Sequence, residues 1–129
     1  MNKIIVEVSI GELLDKISIL EIKQEKIKDP EKLKFIYAEH SILKDQLDDN
    51  VKSDEKLNTL FKSLKDINAK LWVIEDDKRL CEKNSDFTEK FIKLSGDVHF
   101  LNDDRAKIKL EMNNHTGSKI KEIKEYTSY

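Results

Sequence analysis

Apolar positions recur at three-then-four spacing along two long stretches of the chain. The first runs Leu57, Leu60, Leu64, Ile67, Leu71, Ile74, Lys78, Cys81, and the second Phe87, Phe91, Leu94, Val98, Leu101, Arg105, Ile108, Met112. Such spacing keeps a stripe on one face of an α-helix over several heptads. Only Glu82-Lys83-Asn84-Ser85-Asp86 separates the two stretches, which leaves room for an antiparallel return and little else. The pattern therefore predicts a long helical hairpin whose second stripe is interrupted by an arginine.

Two shorter helices precede it. Ser9-Ile10-Gly11-Glu12 has the form of a capping box and opens the first. Its apolar positions are Ile10, Leu13, Ile17, Leu20 and Ile27, with Gln24 falling in the stripe. Asp29-Pro30 ends that helix and starts the next, Asp as the N-cap and Pro at the first helical position. The second stripe is Leu33, Ile36, His40, Leu43 and Leu47, and Asp49-Asn50-Val51-Lys52 makes the following turn. Ser53 is expected to cap helix three, Ser85 or Asp86 to cap helix four, and Gly117 to stop it. Lys3 to Val8 alternates and is β-branched, which favours an extended segment, and residues 118–129 form a Lys/Glu-rich tail with room for a short helix. The fold class that follows is all-α: an antiparallel bundle of one domain, residues 1–129, with two short helices packed on the hairpin.

The lengths are unequal. Helices of about 19 residues span about 28 Å, and helices of about 30 residues about 45 Å. The outer end of the hairpin, from Ile74 to Val98, should project past the shorter pair while still carrying Leu80, Cys81, Phe87, Phe91 and Leu94. Both terminal segments start from the opposite end of the bundle. Uncovered apolar residues imply a partner, either a second copy, with a dimer favoured, or another protein. Trp72, Leu80, Phe87 and Phe91 are the interface candidates.

Polar residues gather at one level of the same bundle. Ile67 lies near Asp103 across the hairpin, and Glu21, Gln24, Tyr37 and His40 fall near that height, with Asn68, Asn102 and Arg105 completing the layer. Lys109 lies one turn away and Glu75 two turns from Asn68. A buried arginine needs a partner, because an unpaired one costs about 3–5 kcal/mol; Glu21 is the expected one. Two readings stay open. The layer is a structural network that fixes helix register, or it is a pocket between helices for a small anionic ligand, a carboxylate or phosphate. The ligand-binding candidates are Glu21, His40, Asn68, Glu75, Asn102, Arg105 and Lys109. The first reading makes the protein a non-enzymatic interaction protein, and the second an enzyme or sensor.

Composition narrows the classes. Charged residues make up 39% of the 129 and apolar ones 38%, with three Gly and one Pro, which suits an all-α chain. A net charge of −2 provides no field toward nucleic acid or an anionic membrane. No apolar run approaches the roughly 20 residues of a span, and Met1 to Glu7 is too short for a signal-peptide core. One cysteine, Cys81, sits on the apolar stripe and reads as a small buried hydrophobe in a reducing compartment, so a cytoplasmic location is expected. No Glu-x-x-His pair, P-loop or metal-ligand set is present, and neither metal nor cofactor is expected. Lysine outnumbers arginine 22 to 2. Arg79 and Arg105 thus mark places where a planar fork serves better than an ammonium.

Several strings occur together: Gly11-Glu12-Leu13-Leu14-Asp15-Lys16-Ile17, Ile19-Leu20-Glu21-Ile22-Lys23, Asp29-Pro30-Glu31-Lys32-Leu33, Asn68 with Leu71-Trp72 and Ile74-Glu75-Asp76, Asn102-Asp103 with Arg105-Ala106, and Gly117-Ser118 with Glu122, Lys124, Tyr126 and Tyr129. In this order the chain resembles an uncharacterised family of small helical bacterial and phage proteins, over nearly its whole length. The resemblance implies that these polar residues belong to a family pattern and carries no mechanism. Leu13-Leu14-Asp15-Lys16-Ile17 is also similar to the start of the all-helical chorismate mutases, but the arginines their first helix requires are missing, which argues against that activity.

Overall fold

A computed structural model describes residues 2–128; Met1 and the Tyr129 of the C-terminal string lie outside the described residues. It contains α1 (Ile10–Lys26), α2 (Pro30–Asn50), α3 (Glu55–Lys83) and α4 (Glu89–Thr116), with no strand among the described residues. The all-α fold and the short-short-long-long order are as the periodicity predicts. α3 and α4 form the hairpin. α1 packs against all three other helices, whereas α2 approaches only α1. α2 is thus an outer layer on α1 rather than a partner of the hairpin along its length.

Local chemistry sets the ends. The Ser9 hydroxyl accepts from the Glu12 N–H at 3.0 Å, and Asp29 caps α2 with Pro30 behind it. Asp54, not Ser53, caps α3: its carboxylate accepts from the Leu57 N–H at 2.8 Å, and a carboxylate also suits the positive end of a helix. Ser53 instead donates to Asn58. α4 begins later than its stripe suggests, with Thr88 at the N-cap position, because Asp86 folds over the turn and accepts from Thr88. Phe87 therefore lies in the hairpin turn. Gly117 ends α4 in the left-handed conformation at φ 70°, where a side chain would be strained.

Leu14, Leu57, Leu64 and Met112 form the buried core, flanked by Leu60, Phe61 and Ile108 and by Leu47 and Val51 from the end of α2. α1 ends level with Val73 and Asp97, with which Lys26 lines a surface groove. Beyond that level the hairpin continues alone for about 15 Å. Cys81 is buried there, between the two hairpin helices. Leu80, Phe87 and Ile92 remain 52%, 53% and 66% exposed.

The terminal segments do not reach that end. Residues 2–8 are exposed and carry no regular structure. The tail, expected as a possible short helix, has none through residue 128. A segment this short gains too little from helix propagation without a packed face. Instead it turns back beside α4, where Ser118 accepts from the Ile10 N–H and donates to the Ile120 carbonyl. No helix of the described residues is long and apolar enough to cross a membrane.

Candidate functional site

Polar side chains of α1, α3 and α4 meet between these helices, and they centre on Asp15 rather than on Glu21. α1 is wedged among three helices, so it buries a second face, Gly11, Asp15, Ser18 and Ile22, besides its apolar stripe. Asp15 is 1% exposed. The Arg105 guanidinium grips its carboxylate with two N–H groups, Nε to Oδ1 at 2.9 Å and Nη2 to Oδ2. Asn68 Nδ2 donates to Asp15 Oδ1 at 2.9 Å and to Ser18 Oγ at 2.8 Å. One turn along α4, Lys109 Nζ donates to Glu12 at 2.7 Å and to Glu122 of the tail at 3.2 Å. The close fit of α1 on α4 rests on Gly11, whose N–H donates to Asn113 Oδ1 at 2.7 Å. A Cβ there would stand 2.6 Å from the Lys109 carbonyl oxygen.

Burial by itself would raise the Asp15 carboxyl, but the bonds from Arg105 and Asn68 hold it below the ordinary range. The bond to Asp15 raises Arg105 further. Desolvation of Lys109 is outweighed by Glu12, Asp15 and Glu122, so its ammonium is held charged. Three carboxylates, Glu12, Asp15 and Glu122, thus surround two cations, Arg105 and Lys109. The layer already holds more negative charge than positive, which disfavours adding an anion to it.

The expected Glu21–Arg105 pair is not formed. Glu21 lies on the α2 side of α1, where it meets His40 at 3.1 Å and Lys65 at 3.4 Å; Lys65 also bonds Glu25. Tyr37 points outward and is exposed. Glu21 and His40 therefore form a peripheral cluster away from Arg105, and Lys109 faces the tail. The layer's remaining candidates, Asn68, Glu75, Asn102 and Arg105, come together differently: all four line one open cleft of about 630 Å³ between α1, α3 and α4. Trp72 and Arg79 line it too, so both arginines of the chain border the same space. Trp72 is half-buried rather than enclosed, and its indole N–H has no hydrogen-bond partner among the described residues.

Asp15 is the residue that the stripe reading of α1 omits. The signal for it is the spacing Gly11, Asp15, Ser18, Ile22, a small-and-polar line at helical period that faces the i, i+4 pair Arg105 and Lys109. Among the described residues no three side chains gather as a metal site. At the far end of the hairpin, the Phe87 and Phe91 rings meet edge to face at 5.4 Å, and Lys78 lies 5.8 Å from the Phe91 ring centre.

No curated protein and no solved structure matches the chain. The family comparison does give a match, over residues 4–129. That span takes in the capping box, the Asp15–Arg105 layer, both cleft arginines and the tail, and the chain belongs to the family of unknown function DUF6165.

Proposed function

We propose that this protein is a helical interaction module that pairs with a second copy of itself through the outer end of the α3–α4 hairpin. The observation that carries this reading is the set of uncovered apolar side chains Leu80, Phe87 and Ile92 beyond the end of α1. Half-buried Phe91 extends the same region, and Trp72 borders it from the cleft beside α1.

A second copy suits the overhang as its occupant. Its base carries Glu75, Asp76 and Asp77 beside Lys78 and Arg79, and its tip balances Lys83, Lys90 and Lys93 against Glu82, Asp86 and Glu89, so no large excess of one sign repels a like chain. Two hairpins overlapping antiparallel around a two-fold axis close their apolar faces between them. Such self-complementary pairing is the commonest form of homo-oligomer.

The test is a double variant, Phe87→Glu with Ile92→Glu, examined by sedimentation equilibrium. Both residues are more than half exposed, and helix content by circular dichroism checks that the fold is kept where Phe87 leaves its contact with Phe91. The expected result is dissociation to a monomer. A variant that sediments as the native protein does refutes the reading.

A further inference from the structure

The cleft that holds both arginines has a hydrogen-bonding character of its own. Asn68 is 6% exposed, and its Nδ2 is committed to Asp15 and Ser18. Its Oδ1 accepts from no described residue. Among the described residues no fully enclosed polar side-chain atom lacks a partner, so this oxygen opens into the cleft that Asn68 lines. Glu75 and Asp76 add carboxylates with no ion pair among the described residues. Unused donors stand beside these acceptors: the Trp72 indole N–H and the exposed Arg79 fork, while Arg105 is committed to Asp15 and, through Nη1, to Asn102 Oδ1 at 3.5 Å. Ile19, Ile22 and Leu71 give the cleft an apolar wall along with the Trp72 ring.

Free acceptors and free donors alternating in one cleft select the ligand's chemistry. An anion only accepts, and would face Glu75 and Asp76. A cation only donates, and would face Arg79. Hydroxyl groups do both. The charges also balance: Arg105 is neutralised by Asp15, which leaves Lys26 and Arg79 opposite Glu75 and Asp76. We propose that this cleft binds a sugar, a neutral polyhydroxyl ring whose hydroxyls bridge Asn68, Glu75 and Asp76 to Arg79 and whose apolar face lies against the Trp72 wall. A cleft of about 630 Å³ accommodates a monosaccharide or a short glycan end. The cleft adjoins the surface proposed for self-association, so the titration is also run on the Phe87→Glu, Ile92→Glu variant, which leaves every residue of the cleft in place and keeps the two tests distinguishable.

Trp72 is the only tryptophan and reports on the cleft directly. The full chain is titrated with glucose, galactose, mannose and N-acetylglucosamine, each free and as its methyl glycoside, following Trp72 emission and amide NMR shifts. Glycerol, benzoate and inorganic phosphate are titrated in parallel. At least one sugar should give saturable changes centred on Trp72, and the three comparison solutes none. Equal binding of the methyl glycoside identifies a glycan-type ligand, and binding of the free sugar alone identifies a free monosaccharide. Arg79→Met and Glu75→Ala, both at exposed unpaired positions, should each weaken binding about tenfold with unchanged melting temperature. The proposal is overturned if no sugar saturates, if benzoate or phosphate saturates instead, or if both variants bind as tightly as the native chain.

Discussion

Arg105 of α4 and Asp15 of α1 form a two-pronged ion pair ninety residues apart in sequence, with the Asp15 side chain 2% exposed and the Arg105 side chain 26%. This pair ties α1 to the hairpin at mid-height. Asn68 joins it from α3, so three helices meet on one carboxylate.

Removing one end of that pair should be costly. Arg105→Met leaves a buried carboxylate whose main partner is gone, and the expected loss is about 3–5 kcal/mol. Asp15→Leu should cost a similar amount. The double variant should recover much of the loss, because replacing both ends with apolar groups removes the unpaired charge. Glu21→Leu should show no energetic coupling to Arg105→Met. Urea melts of these variants and of the Glu21→Leu, Arg105→Met double check all of this.

Acid should weaken the same tie. The folded-state pKa of Asp15 is lowered by Arg105 and Asn68 against the opposing effect of burial. Its contribution is therefore full above the unfolded value of about 3.9 and is lost as pH falls through the lower folded value. Native stability should fall steeply below about pH 4, and Asp15→Asn should flatten that slope. Equal slopes for the two proteins would show that Asp15 is not the titrating group.

Two glycines should respond oppositely to alanine. A Cβ at Gly11 would stand 2.6 Å from the Lys109 carbonyl oxygen, so α1 and α4 must separate. Gly11→Ala should destabilise by about 1–3 kcal/mol despite its better helix propensity. Gly96 is mid-helix with nothing within 4 Å of a built Cβ. Gly96→Ala should stabilise by up to about 1 kcal/mol. Thermal melts of the pair measure both signs.

The helices were legible because their signals are local: capping side chains, Pro30, Gly117 and two long stripes. Levels across the hairpin were legible too, since a short turn fixes them. Azimuth was not. Glu21 stands six residues from Asp15, about 120° around α1 at 100° per residue. It has a height in the bundle compatible with the layer, yet it faces His40 and Lys65. Which flank of α1 meets α4 depends on where α2 docks, and α2 docks on α1 alone. Along the sequence Asp15 is one polar residue beside a stripe, and only a helix buried on two faces turns it inward. The tail's role was hidden for a similar reason: Glu122 meets Lys109 only because the chain turns back after Gly117. The cleft emerges from the same geometry. Asn68, Asn102 and Arg105 have one level in the bundle and Glu75 stands two turns from Asn68, and all four share a space that α1 leaves open along the hairpin.

Closure of the hairpin's uncovered end by a second copy would double the mass of the particle. The mass of the native chain in solution, from light scattering at micromolar concentration, tests it most directly. A mass of about twice the 15.1 kDa of one chain is expected. A mass of 15.1 kDa throughout the micromolar range would contradict it.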